Sequence, residues 1–115
     1  MNETTHQQPA DTDEISQLIT EALGATGILP PMDRLVQLDG LLRAEITRLV
    51  PLVQRAADAV PLRSRDWYRL IQTSERAEDA LGFQIGAAPL AGAIQVAELA
   101  RRVHELRDAL GGRQP

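Results

Sequence analysis

Residues 32–60 read MDRLVQLDGLLRAEITRLVPLVQRAADAV, and their apolar positions Leu35, Leu38, Leu42, Ile46, Leu49, Val53, Ala56 and Val60 step by three or four. That period places them on one side of a helix, so the segment predicts a single amphipathic helix roughly 40 Å long at ~1.5 Å per residue. Pro51 stands inside it. Proline leaves the carbonyl of Thr47 without its helical donor and disfavours helix geometry at Val50, a cost of roughly 3 kcal/mol in a straight helix. The stripe nevertheless continues in phase on both sides of Pro51, which predicts a kink and not a break.

Working outward, Pro61 closes this helix and Ser64 is a good N-cap for the next, with Asp66 in the first turn where the helix dipole favours a negative charge. Trp67, Leu70, Ile71, Ser74, Ala77 and Leu81 make its buried face, and Gly82 ends it. A fourth helix starts near Pro89 or Leu90. Its positions Val96, Leu99, Val103, Leu106 and Leu110 keep 3,4 spacing, flanked by Ala93, Ala97 and Ala100, before Gly111 and Gly112 stop it. On the N-terminal side, Asp11 and Glu14 form a capping box for a first helix through Ile15, Leu18, Ile19, Ala22 and Leu23, ended by Gly24 and Gly27. Residues 1–11 read as a disordered tail, 12–110 as one domain and 111–115 as a flexible C-terminus. The connection from Gly82 to Pro89 holds Phe83 and Ile85 and is expected to cap the end of the domain.

Short connections make successive helices antiparallel, so the expected fold is all-α: an antiparallel three- or four-helix bundle with one long, Pro-kinked helix. Helix three, folding back from Val60, is long enough to cover helix two only to about Leu42. The portion from Met32 to Leu41 then overhangs, to be covered by helix one or by a second copy, which makes Leu35, Leu38 and Leu41 candidates for a partner interface.

Composition narrows the function classes. Hydrophobic residues are 43% of the chain and aromatic ones 3%, so Leu, Ala, Val and Ile fill the core, and stacking platforms for single-stranded nucleic acid are nearly excluded. The net charge is -4, which repels phosphate backbones and anionic membrane surfaces. There is no cysteine, hence no disulfide, thiolate or Cys-based metal chemistry, and all twelve basic residues are arginine, which removes Schiff-base lysines. Lysine-free basic usage is expected of a GC-rich genome. The polar, acidic start lacks signal-peptide character, and the apolar stretch Ile85 to Ile94 is half the ~20 residues a span needs, so a cytoplasmic address is expected.

Few residues carry chemistry. Arg63, Arg65, Trp67, Tyr68 and Arg69 surround the start of helix three, with Arg76 further along. Free amides and guanidiniums there could receive an anion, so Arg65, Arg69, Tyr68 and Arg76 are the candidate ligand site, set against the plainer reading that the arginines pair with Asp66, Glu75, Asp79 or neighbouring helices. The same helix could present Arg65, Arg69, Gln72, Thr73 and Arg76 to a DNA major groove, but Pro61 occupies the turn and the domain is acidic. His104 and Asp108 have chelating i,i+4 spacing, yet Arg101 and Arg107 flank them and no third ligand is apparent, so no metal and no cofactor are expected. Ser16, Ser64 and Ser74 read as caps or helix-face residues without a nucleophile elbow. Glu98 with Arg102, and Arg101 with Glu105, read as i,i+4 pairs on a solvated face. No catalytic set emerges.

Leu41-Leu42-Arg43-Ala44-Glu45-Ile46 through Leu49-Val50-Pro51-Leu52-Val53, followed by Ala97-Glu98-Leu99-Ala100-Arg101-Arg102-Val103-His104-Glu105-Leu106, resembles a family of small helical proteins from actinomycetes. The resemblance spans roughly Leu35 to Leu110. It implies an actinobacterial cytoplasmic protein of a family without an established activity, often labelled as associated with natural-product biosynthesis, and transfers no site residues. The expectation is therefore a non-enzymatic interaction, regulatory or accessory protein that holds a protein partner or itself. A small-molecule or anion-binding bundle is the second reading and a DNA-binding regulator the third.

Overall fold

A computed structural model describes residues 14–111, so the tail, the Asp11 cap, the start of the first helix and the segment after Gly111 lie outside the described residues. Four helices follow: α1 (14–23), α2 (Met32–Asp58), α3 (Arg65–Leu81) and α4 (Pro89–Gly111). No strand occurs among the described residues. The two connections at the α3 ends reverse the chain, so α3 runs against α2, and α4 returns along α2. Each of α2, α3 and α4 packs on the other two.

The α2 stripe does what its period requires. Leu35, Leu38, Leu42, Ile46 and Val53 are completely buried, and they meet Leu70 and Ala77 of α3 and Val96, Leu99, Val103 and Leu106 of α4. Pro51 lies within a continuous helix. Pro51 and Thr47 both sit on the exposed side, so the carbonyl that loses its donor is left toward water, which is why the helix runs through. It ends two residues earlier than its stripe suggests, at Asp58, with the amides of Ala59 and Val60 closing on Ala56 and Ala57.

The helix ends use different devices. Ser64 accepts from the Trp67 amide at 3.1 Å, as an N-cap should. Pro89 opens α4 at a position where a missing amide costs nothing, and the Gly92 amide bonds the Ala88 carbonyl at 2.9 Å. Gly82 does not end α3 by a left-handed turn, since its φ is -72°. Arg43 of α2 supplies the stop instead: its guanidinium donates to the Leu81 carbonyl at 2.9 Å and to the Phe83 carbonyl, while Asp39 holds it at 2.9 Å. Gly86 is required by close approach, because a Cβ there would lie 2.7 Å from the Ala91 Cβ.

Arg43 also marks where α3 stops along α2, one residue short of the limit expected from length. The overhanging start of α2 is covered by the chain itself. Ile19, Ala22 and Ala25 from α1 and its following turn join the core, and Arg34 reaches Glu21 with a two-pronged ion pair at 2.6 and 2.7 Å. Gly92 lets α4 approach closely, the place of its absent Cβ lying 3.3 Å from Leu35 Cδ1 and 3.5 Å from Ile85 Cδ1. Leu35 and Leu38 are thus interior residues and offer nothing to a partner, which corrects that expectation, whereas Leu41 stays 42% exposed. The expected cap by the α3–α4 connection is half right: Ile85 packs on the core, but Phe83 is 64% exposed.

The Glu21–Arg34 pair has a pH signature. Its hydrogen bonds from Arg34 hold the Glu21 carboxyl below the ordinary carboxylate value. Its contribution is therefore present above the unfolded-state pKa and lost as pH falls through the lowered folded value. Both side chains are about one-third exposed, so the effect is small. Glu21→Gln is expected to flatten the acid limb of a stability-versus-pH curve below about pH 4.3 while changing its neutral-to-alkaline part little.

Between α2 and α3, Arg63 adopts φ 65°, a left-handed conformation. A side chain disfavours that region, so Arg63→Gly is expected to raise stability by about 0.5–1 kcal/mol, read as a higher urea midpoint. A lower midpoint contradicts strain at this residue.

Candidate functional site

The arginine-rich start of α3 does not form a cradle. Arg65 and Arg69 share one exposed face, but Arg69 faces Asp66 at 3.7 Å and Arg76 is turned toward Glu105 of α4 at 3.9 Å. Tyr68 is half-exposed, with its ring edge-on to Trp67 at 5.0 Å between centroids. The plainer expectation, pairing with Asp66 and with a neighbouring helix, describes Arg69 and Arg76.

His104 and Asp108 line an open groove between α1 and α4 with Ser16, Thr20 and Leu23. Arg107 reaches Ser16 Oγ at 3.4 Å across it, and the Thr20 hydroxyl is spent on the Ser16 carbonyl at 3.0 Å. No group of three His, Cys, Asp or Glu side chains is placed to hold a metal among the described residues. Further along α4, Arg102 bridges Glu98 at 3.5 Å and Glu105 at 3.3 Å, and Arg101 pairs with Glu98, not with Glu105. This ladder fastens α4 to α3 through Arg76.

The third surface lies where α2 and α4 run past the end of α3. Arg43 touches that end, and Val36, seven residues earlier on the same side of α2, stands about 10 Å beyond it. On α4, Ile94, Glu98, Arg102 and Glu105 form one stripe, the last facing Arg76 five residues before the α3 terminus. Counting rise along both helices puts Ile94 about 9 Å beyond α3, level with Val36. The Gly82–Pro89 connection lays Ile85 against Gly92 between them. Around it Val36, Phe83, Leu90 and Ile94 are 51 to 64% exposed. On the overhang the exposed apolar residues are these and Leu41, not Leu35 and Leu38. One signal was available: Arg43 and Asp39, four apart at the edge of an apolar stripe, mark a helix edge that meets something polar.

The sequence profile of a family of unknown function, DUF6415, matches residues 13–115. The chain belongs to this family. No curated protein and no solved structure matches it. The DUF6415 match includes the span from Leu35 to Leu110, where a family without an established activity was expected, and extends over α1. Among the described residues no helix of this DUF6415 member is long and apolar enough to cross a membrane.

Proposed function

We propose that this protein is a non-enzymatic helical interaction module that holds a partner polypeptide on the apolar shoulder beyond the end of α3. The observation that carries the reading is the group of Val36, Phe83, Leu90 and Ile94, each half or more exposed, where α2 and α4 run past the end of α3. Exposed apolar side chains scattered singly mean little, whereas several gathered at one end of a small domain mark an interaction surface. The lysine-free sequence and the actinomycete resemblance support an accessory role in natural-product biosynthesis in the cytoplasm of such a bacterium.

Ile94→Asp tests it, because Ile94 is 56% exposed and the change leaves the core intact. Tagged protein returned to its native cell is expected to co-purify with a stoichiometric partner that Ile94→Asp reduces about tenfold or more. The paired change Arg65→Ala with Arg69→Ala is expected to leave that partner bound. An unchanged set of co-purifying proteins with Ile94→Asp contradicts the reading.

A further inference from the structure

Resting on that reading of the shoulder, we propose that its occupant is a basic amphipathic helix, laid in line with α3 so that its apolar side sits between Val36 and Ile94 and its cations meet the end of α3. The geometry supplies the bed. The α2 and α4 flanks rise about 10 Å past α3, roughly two helical turns, and the connection between them leaves apolar side chains on both sides uncovered.

Charge selects the partner. Glu75, Glu78 and Asp79 occupy the last two turns of α3, all exposed, and none takes part in an ion pair among the described residues. No basic residue lies in that last turn, and Arg43, whose guanidinium meets the terminal carbonyls, has its own charge balanced by Asp39. The neighbouring cations each have a carboxylate of their own, Arg43 in Asp39, Arg34 in Glu21 and Arg76 in Glu105, so none is left for Glu75, Glu78 or Asp79. Buried beneath, Asp39 keeps a second oxygen, Oδ1, with no donor. A cationic helix offsets this potential, and an acidic or neutral one does not. The α2–α3 turn of a second copy also carries Arg63 and Arg65 beside exposed Leu62, but that contact joins unlike ends and propagates a filament instead of closing.

The test uses the full chain and fluorescein-labelled designed peptides, read by anisotropy at physiological salt. One peptide carries Leu at i, i+3, i+4 and i+7 with Lys and Arg elsewhere, a second keeps the Leu positions with Glu elsewhere, and a third scrambles the first. Only the first is expected to bind. Ile94→Asp is expected to weaken it by about tenfold, Glu78→Gln with Asp79→Asn by about fivefold, and Leu62→Asp not at all, with unchanged helical circular dichroism in every variant. Binding of the scrambled peptide equal to the first, equal binding of the acidic peptide, or no binding at all overturns the proposal. So does concentration-dependent self-association, seen by light scattering, that Ile94→Asp abolishes, because the occupant is then a second copy. If the basic peptide fails while the native partner still depends on Ile94, the interaction module stands and only its basic partner falls.

Discussion

Leu99→Ala is expected to lower the free energy of unfolding by about 2–5 kcal/mol, a large share of the roughly 5–15 kcal/mol a domain of this size holds. Leu99 is completely buried on α4, on the stripe that also carries Val96, Val103 and Leu106. With so few aromatic residues, the core is built from short aliphatic side chains on all four helices that cannot extend to fill a hole. The lost methyls therefore leave a cavity in addition to their lost transfer energy. Leu90→Ala, on the same helix but 56% exposed, is the control, expected to stay within about 0.5 kcal/mol. Urea unfolding checks both: Leu99→Ala should shift the midpoint with little change in slope. Similar small shifts for the two variants contradict the assignment of inner and outer faces to α4.

Arg43→Ala is expected to cost about 2–3 kcal/mol, more than an ordinary surface ion pair. Three acceptors lose their donor together: the carboxylate of Asp39, whose side chain is 13% exposed, and the carbonyls of Leu81 and Phe83. The larger part of the loss belongs to Asp39, since a carboxylate out of water without a counter-ion is disfavoured. Removing that charge as well should restore part of the stability, so Arg43→Ala with Asp39→Asn is expected to be less destabilised than Arg43→Ala alone. Amide exchange should also quicken selectively in the last turn of α3. Additive losses from the two substitutions, with no change at the α3 terminus, contradict the role of Arg43 as its cap.

Much of this architecture is written locally. The α2 stripe, the Ser64 cap, the α4 spacing and the overhang beyond Leu42 depend on periods and lengths within one segment, and each is found in the fold. Contacts between distant segments are not written that way. Arg43 meets Leu81 and Phe83 about forty positions away, and no neighbour of Arg43 in the chain announces it. Leu35 and Leu38 look like interface residues only if nothing covers the start of α2. The cover comes from Ala22, Ala25 and the close approach of Gly92, small residues with little hydrophobic signal of their own. Gly82 shows the opposite error: a glycine at a helix end invites a left-handed stop, yet the backbone there is right-handed because Arg43 already satisfies the carbonyls. The pairing of Arg101 with Glu98 follows from the same kind of competition, Glu105 being held by Arg102 and Arg76.

For the candidate sites, the sequence named residues of the right kind in the wrong association. Arg65, Arg69 and Arg76 lie along one side of α3, but carboxylates claim two of the three. Val36 and Ile94 could not be singled out, because their exposure depends on α3 ending before it reaches them.

The most direct measurement is site-specific photo-crosslinking in the native cell, with a benzophenone side chain placed in turn at Val36, Leu90 and Ile94 and, at the opposite end, at Leu62 and Tyr68. The account predicts one discrete heterologous adduct from the first three positions and none from the last two. Adducts from both ends alike, or none from Val36 and Ile94, would contradict it.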